Sequence, residues 1–325
     1  MRQAMASERK SLLGSATKVA DLKAWQEGHG SLLWDRAGNS YDWITANQLL
    51  IFRFMGVRRN REIWRLSSRN RANGKETPLP ALSAKFNESY GVHGRHSISP
   101  DGQWLLWMGE KGHCAAMLDG SHFITWQSNP KSGYGYGEAD WLGDSRHWVE
   151  RIRGTDGRVK GFIRHDVLTH REQERIKLRP ADPLHIRSGS PYSIPMVAWD
   201  NHILVATSGW PESYSQSYVI QIGIGARAHE RTYLVKAPKG WLFKYWPTLS
   251  HSGKRVAWEC QPQNPSEVAK AEASLWVSDI DGHRMHQIGS IENEKYNGII
   301  RVKWLPDGQH LSFEYRRALY VVSAE

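Results

Sequence analysis

Short alternations of apolar and polar residues, each interrupted by a tight turn, recur along the chain. Residues 97–107 (SISPDGQWLLW), 247–258 (PTLSHSGKRVAW) and 302–313 (VKWLPDGQHLSF) each contain a short strand pattern, a turn and a second alternating pattern. A period of two places successive side chains on opposite faces of a sheet, with one face against a core. These segments therefore predict antiparallel hairpins whose strands are half-buried.

The residues at the turns support the same prediction. Pro100 and Pro306 fix the backbone angle φ, and the aspartate that follows each proline can accept hydrogen bonds from nearby backbone. The glycine after each aspartate can adopt a positive φ. A further strand over residues 273–282 ends in another Asp-Gly turn. Turns recur about every 40 to 55 residues, the spacing expected for one propeller blade per repeat.

These residues resemble the PD40 (WD40-like) repeat of TolB-like propellers, which runs strand, Ser-Pro-Asp-Gly, strand, then Leu-Trp-x-x-Asp-x-Asp-Gly. The match is good over residues 97–120, 247–282 and 302–323. It is weaker over residues 41–82, 139–178 and 192–236, where Thr45-Ala46-Asn47, Leu142-Gly143-Asp144-Ser145 and Ala198-Trp199-Asp200-Asn201 replace the turn. The resemblance implies an all-β, six-bladed propeller with four-stranded blades.

The last repeat shows three strands, and we expect its fourth strand to come from the N-terminal part of the chain. We predict that an N-terminal strand closes the ring, with residues 31–35 (SLLWD) as the candidate. Residues 1–28 are then a polar N-terminal arm, and residues 29–325 form a single β-propeller domain.

Composition and charge add little to the prediction of fold and function. Hydrophobic residues make up 40% of the 325 residues and include 16 Trp, which suits a large sheet core. The formal net charge of +10 attracts anions but names no partner. Basic residues concentrate between residues 53 and 75, which indicates a solvated hairpin edge or, alternatively, a face for anionic ligands. Cys114 and Cys260 are far apart in the sequence, so we predict two buried, reduced thiols.

The sequence contains no signal for membrane insertion or export. Residues 1–25 lack the apolar stretch of a secretory signal, and no apolar run approaches the about 18 residues that cross a bilayer. We therefore expect a soluble cytoplasmic protein that does not associate with a membrane. A periplasmic location follows instead if the true start lies upstream.

In a propeller of this kind the connections between blades precede the innermost strands and meet at one face of the central channel. Polar and aromatic residues from several blades are thereby brought to one mouth, which is the usual setting of a binding site. Alternatively, each tyrosine packs on the next blade and each histidine bonds local backbone. The predicted ligand-binding residues of this channel face are Tyr41, Asp42, His93, His96, Glu138, Tyr192, Lys244, Tyr245, Tyr296 and Arg301.

No motif in the sequence identifies a reaction. A P-loop, HExxH and GxSxG are absent, so we assign no catalytic residue and no cofactor. His93 and His96, with Glu138 as a third ligand, are the minor alternative of a divalent metal site. The family resemblance bears on this alternative, because oligogalacturonate lyases are propellers of this type that bind a divalent metal through channel-facing histidines. A structural pair is favoured, and the remaining histidines, among them His113 and His147, are predicted at surfaces or strand edges.

The leading functional hypothesis is a non-enzymatic scaffold that binds a protein or peptide partner through its loop-rich channel face. The alternative is a carbohydrate-active enzyme, a metal-dependent lyase or hydrolase of acidic sugars, with its site at the channel mouth. Lys244 and Arg301 would then bind the substrate carboxylates. We do not expect a nucleic-acid partner, because the aromatic residues follow the strand alternation and are predicted to lie in the core.

Overall fold

The structure is a computed structural model, and its secondary structure groups into six blades. The residues that it describes are 11–21, 41–58, 61–89, 96–109, 112–127, 139–154, 159–169, 171–177, 196–199, 202–208, 215–224, 230–244, 247–263, 271–293, 299–316 and 318–325. Blade 1 consists of β2 (Tyr41–Thr45), β3 (Gln48–Arg58), β4 (Arg61–Asn70) and β5 (Glu76–Pro78), and blade 2 consists of β6 (His96–Ile98), β7 (Trp104–Gly109), β8 (Gly112–Met117) and β9 (Ile124–Gln127). Blade 3 consists of β10 (Ala139–Trp141), β11 (His147–Arg153), β12 (Val159–Asp166) and β13 (Arg171–Lys177), and blade 4 consists of β14 (Met196–Trp199), β15 (His202–Ser208), β16 (Gln216–Gly223) and β17 (Glu230–Lys236). Blade 5 consists of β18 (Trp241–Phe243), β19 (Thr248–Leu249), β20 (Arg255–Pro262), β21 (Ala271–Asp279) and β22 (His286–Asn293), and blade 6 consists of β23 (Ile300–Trp304), β24 (His310–Tyr315), β25 (Ala318–Ser323) and β1 (Thr17–Asp21). The two described helices are α1 (Leu12–Ser15) and α2 (Pro80–Ser89).

Each blade is an antiparallel sheet in which neighbouring strands along the chain pair with each other. Blades 1 to 4 have the strand orders β2-β3-β4-β5, β6-β7-β8-β9, β10-β11-β12-β13 and β14-β15-β16-β17. In blade 5 the first strand is interrupted, so β18 and β19 both pair with β20, and β21 and β22 follow. The fold is a six-bladed β-propeller with four-stranded antiparallel blades, which confirms the predicted fold class. No described helix is long and apolar enough to span a bilayer.

The turn between the first two strands is built in the same way in blades 2, 3, 5 and 6. Its first residue donates its N–H to the carbonyl five residues later, and the residue three positions on donates back to the first carbonyl. In blade 3, Ser145 takes the positive φ of 55° that glycine supplies in the other three turns. Asp144 accepts the N–H groups of Arg146 and His147, as Asp307 does for Gln309 and His310 in blade 6. The side chain of aspartate therefore preserves the turn where the Pro-Asp-Gly sequence is lost.

An N-terminal strand completes blade 6, as predicted, but it is not the strand that the sequence indicated. β1 pairs with β25, with Thr17 opposite Val321 and Asp21 opposite Ala318. The candidate strand at residues 31–35 lies outside the described residues. The prediction of a polar arm is wrong for residues 11–21, because α1 buries Leu12 completely and β1 is part of a blade. A strand of five residues with two charged side chains gave too weak an alternation to recognise.

The chain divides into two compact units, which we describe separately. The first comprises Lys23–Ile203 and Gly223–Ala228, and the second comprises Met1–Leu22, Leu204–Ile222 and His229–Glu325. The predicted single domain over residues 29–325 stays a prediction. In the first unit, one apolar core lies between blades 1 and 2 and includes Phe52, Leu105 and Trp107. A second core lies between blades 2 and 3 and includes Trp141 and Trp148.

In the second unit, an apolar core joins blades 5 and 6. It contains Leu275, Trp304 and Phe313, and α1 adds Leu12 to it. The alternating strand residues thus meet between neighbouring blades, as the sequence pattern requires. Cys114 and Cys260 are buried free thiols, as predicted, and burial raises the pKa of Cys114 to about 11.

Strand β5 is too short to cover the whole outer edge of blade 1, and helix α2 covers the part that β5 leaves open. β5 pairs only with Ser67 to Arg69 of β4. Farther along β4, the N–H of Leu66 donates to the Ser83 hydroxyl at 2.9 Å. The Asn87 side chain accepts from the N–H of Trp64 and donates to its carbonyl, both at 2.8 Å. These side chains satisfy backbone groups that a longer fourth strand would otherwise pair.

Candidate functional site

Two of the predicted channel-face residues, Asp42 and His96, lie next to each other on the first strands of blades 1 and 2. The imidazole Nε2 of His96 is 3.7 Å from the Asp42 carboxylate, which is ion-pair range. The ring of His96 also packs on Phe52, with ring centroids 4.0 Å apart. Only 2% of the His96 side chain is exposed. The pair therefore links blade 1 to blade 2 from a buried position.

The first strands of blades 2 and 3 are joined by a second polar contact. The hydroxyl of Ser97 donates to the carboxylate of Asp140 at 2.5 Å. The indole N–H of Trp141 donates to the carbonyl of Ser97 at 3.1 Å. In the second unit, the indole of Trp304 donates in the same way to the carbonyl of Thr248 at 2.8 Å. In both cases, a tryptophan on the first strand of one blade thus donates a hydrogen bond to a backbone carbonyl of the preceding blade.

Lys244 lies in the interruption between β18 and β19 and is tied to Glu259 twice. Its backbone N–H donates to the carbonyl of Glu259 at 2.8 Å, and its ammonium donates to the carboxylate at 2.9 Å. Both side chains are largely buried, at 14% and 7% exposure. Burial raises the pKa of Glu259, and the neighbouring Lys244 opposes that rise. The charge of Lys244 is therefore balanced within the protein.

Fewer contacts are described for the other residues of the predicted channel face. Tyr41 begins β2, is 1% exposed, and meets the ring of Trp43 edge-on with centroids 6.5 Å apart. Arg301 lies within β23. Five members of the predicted set lie outside the described residues, namely His93, Glu138, Tyr192, Tyr245 and Tyr296. Ligand binding by the whole set stays a prediction, and the described members Tyr41, Asp42, His96 and Lys244 have buried contacts of their own.

A largely buried polar cluster lies between blades 2 and 3, and the sequence did not reveal it. Glu150 on β11 is 3.3 Å from Nε2 of His113 and 3.2 Å from Nε2 of His165. The imidazole of His165 stacks on Trp148 with ring centroids 4.1 Å apart. Burial tends to raise the pKa of Glu150, but hydrogen bonds from the two histidines lower it to about 2. Glu150 is therefore a carboxylate at neutral pH.

The prediction that His113 and His147 lie at surfaces or strand edges is wrong. His113 is 2% and His147 is 9% exposed. His113 is held by Glu150 across the blade boundary, whereas His147 is bonded to Asp144 of its own turn at 2.5 Å. Paired histidines can occupy an interface between blades, so their polarity alone did not indicate exposure. Among the residues that the structure describes, no group of three or more His, Cys, Asp or Glu is arranged to hold a metal ion.

Exposed apolar and cationic side chains occur together on the hairpin of strands β3 and β4, which we call the blade 1 hairpin. β3 has 11 residues, whereas the corresponding strands β7 and β11 have 6 and 7. A β-bulge leaves Met55 without a partner residue on β4, and Gly56 has the positive φ of 118°. Met55 is 46% and Val57 is 65% exposed. The bulge thus directs apolar side chains outward near the end of the hairpin.

The comparisons with known proteins concern the fold. No family model and no curated protein matches the sequence. A putative TolB from Agrobacterium tumefaciens is similar at 13% identity, over 87% of this chain and 89% of that chain, with a TM-score of 0.47. The β-propeller domain of the Trilobed protease from Pyrococcus furiosus is similar at 14% identity, over 86% and 78% of the two chains, with a TM-score of 0.47. An oligogalacturonate lyase from Vibrio parahaemolyticus is similar at 9% identity, over 86% and 87%, with a TM-score of 0.47. The blades described above, and not these likenesses, confirm the predicted six-bladed β-propeller fold.

Proposed function

We propose that this propeller is a binding protein that engages a protein or peptide partner through the face on which the connections between blades lie. The observation that carries the proposal is the exposed apolar pair Met55 and Val57 on the blade 1 hairpin. Exposed large apolar side chains grouped at one place on a folded protein mark interaction sites more often than scattered ones do. Their position on an elongated hairpin makes them accessible to a macromolecule.

The direction of the strands relates this hairpin to the predicted face. In an antiparallel blade, the turn between the second and third strands and the connection to the next blade leave from the same end. The end of the β3–β4 hairpin is therefore at the end of blade 1 from which the connection to blade 2 departs. The polar residues on the first strands contribute to binding indirectly, because the Asp42–His96 and Ser97–Asp140 contacts hold these blades in register.

Site-specific photo-crosslinking tests this function. A photoreactive amino acid replaces Val57 in the full-length protein, and the protein is irradiated in an extract of its native cells. We expect a covalent adduct with one or a few defined proteins, identified by mass spectrometry. The same amino acid in place of Leu168, which is 61% exposed in the turn after β12, is the matched control. That turn lies at the opposite end of its blade.

Equal recovery of the same proteins from positions 57 and 168 would show nonspecific labelling and contradict the proposal. Recovery of no protein from position 57 would contradict it as well. A competing excess of unlabelled wild-type protein should reduce the adduct at position 57, because both compete for one partner surface. An adduct that is insensitive to the competitor would also count against a specific interaction.

A further inference from the structure

The outer side of blade 1 contains a groove beside the blade 1 hairpin. Its volume is about 360 Å³, which is within the range of about 300 to 1,000 Å³ that small-ligand pockets occupy. Strand β4 forms one wall, and the end of β5 and the start of α2 form the other. The lining residues are Met55, Ile63, Trp64, Arg65, Leu66, Pro78, Pro80 and Ser83. Apolar side chains thus dominate a cleft large enough for the side chain of another protein.

The only charged residue of this lining set is a cation. Arg65 is exposed, and the structure records no ion pair for it among the described residues. Arg58, at the end of β3, is also exposed, and the same holds for it. The neighbouring Arg53, by contrast, is paired with Glu76 at 3.2 Å. An occupant that carries carboxylates would therefore find two uncompensated guanidinium groups beside an apolar cleft.

From this combination of apolar lining and unpaired arginines, we infer that the groove binds an acidic peptide segment of a partner protein. A bulky apolar side chain of the segment enters the groove between Met55 and Pro78. Carboxylates on either side of it meet Arg65 and Arg58. This inference rests on the proposed function and adds to it the chemistry of the partner.

A nucleic acid would satisfy the arginines but not the rest of the site. Single-stranded nucleic acid binds by stacking its bases on exposed aromatic faces. Trp64, the aromatic residue of the lining, is only 6% exposed, and its ring packs against Phe54 with centroids 5.4 Å apart. The indole of Trp64 therefore lies in the core, and the exposed residues near the end of the hairpin, namely Met55, Val57, Arg58 and Arg65, are aliphatic or cationic.

Fluorescence anisotropy with a defined peptide tests the inference. The probe is a fluorescein-labelled peptide of about ten residues that alternates leucine and glutamate, titrated with the full-length protein. We expect saturable binding that weakens by about tenfold in Arg65→Glu and in Met55→Ser, since each removes one of the two kinds of contact. Higher salt should weaken the wild-type complex and affect the Arg65→Glu complex less.

Matched variants and probes separate the contributions. Leu234→Ser removes an apolar side chain of the same exposure (45%) on β17, and Lys177→Glu reverses an exposed charge on β13. Both should bind the peptide as the wild type does. Replacing the leucines of the probe by serine, or its glutamates by lysine, should abolish binding. A single-stranded oligonucleotide should bind less tightly than the acidic peptide.

The outcomes distinguish this inference from the proposed function. If position 57 crosslinks a partner but the acidic peptide does not bind, the function stands and the inferred chemistry is wrong. Equal binding by the lysine peptide, tighter binding by the oligonucleotide, or unchanged affinity in Arg65→Glu would each overturn the inference. Concentration-dependent dimerisation that Met55→Ser abolishes would also overturn it, because the occupant would then be a second copy of this chain.

Discussion

The blade boundaries and the blade 1 hairpin distribute their polar and apolar side chains in opposite ways. At the boundaries, carboxylates and imidazoles are largely buried and paired, as in Asp42–His96 and the Glu150 cluster, and the Lys244–Glu259 pair is buried within blade 5. On the hairpin, Met55 and Val57 are exposed near Arg65, which forms no ion pair within the part of the chain that the structure describes. The described polar residues of the predicted site therefore have contacts within the protein. Under the proposed function, the exposed apolar residues of the hairpin are the ones that meet a partner.

The largest expected loss of stability comes from removing a polar group at a blade boundary. Glu150→Ala removes the carboxylate that lies between His113 and His165, and it leaves two buried imidazoles without their partner. We expect the free energy of unfolding to fall by about 4 kcal/mol, measured by urea denaturation followed by tryptophan fluorescence.

Glu172→Ala is the matched control for this variant. Glu172 pairs with Arg175 on the exposed strand β13, with side chains 39% and 51% exposed, so its loss should cost less than about 1 kcal/mol. Similar losses in the two variants would show that the Glu150 cluster does not stabilise the boundary between blades 2 and 3.

The next effect concerns the pair at the interrupted strand of blade 5. Glu259→Leu leaves the Lys244 ammonium buried without its counter-ion and should cost about 3 kcal/mol. Lys244→Met combined with Glu259→Leu removes both charges, and the double variant should be within about 1 kcal/mol of the wild type. A double-mutant cycle in urea measures the coupling. Additive losses in the double variant would mean that the two charges do not stabilise each other.

A smaller effect follows from the pKa of Glu150, which is lowered from 4.5 in the unfolded chain to about 2 in the folded protein. The unfolded chain therefore takes up this proton first as the pH falls. The stabilising contribution of Glu150 is complete above a pH of about 4.5 and is lost as the pH falls toward about 2. Glu150→Gln should be less stable than the wild type at neutral pH by about 2 kcal/mol.

The difference between Glu150→Gln and the wild type should shrink as the buffer is acidified below a pH of about 4.5. Thermal unfolding followed by circular dichroism across this pH range measures it. A difference that stays constant down to a pH of about 3 would show that the pKa of Glu150 is not lowered by folding.

The regular part of the fold could be predicted from the sequence because it depends on local residues. The turns at Pro100 and Pro306 and the alternation after them identify blades directly, and Asp144 preserves the turn mechanism in an eroded copy. The closing strand β1 could not be located, because its alternation is short and its partner β25 is about 300 residues away in the sequence. Its place depends on pairing, which no local pattern encodes.

The candidate site could be predicted only in part, for a related reason. Asp42 and His96 lie on the first strands of their blades rather than in the preceding connections, and Lys244 lies between β18 and β19. Their burial depends on residues of neighbouring strands, such as Glu259, that periodicity does not connect to them. The exposure of Met55 and Val57 depends on one β-bulge at Gly56, whereas strand alternation alone predicts such residues in a core.

The most direct test of the central claim compares two double variants in one peptide-binding measurement. Met55→Ser with Val57→Ser alters the blade 1 hairpin, and Lys244→Met with Glu259→Leu alters a buried pair of the predicted channel face. Both should unfold within about 1 kcal/mol of the wild type, because the first changes exposed side chains and the second removes a balanced pair. The account predicts that the hairpin variant loses at least about tenfold in affinity for the acidic peptide and that the pair variant retains wild-type affinity. Loss of affinity in the pair variant with retention in the hairpin variant would contradict it.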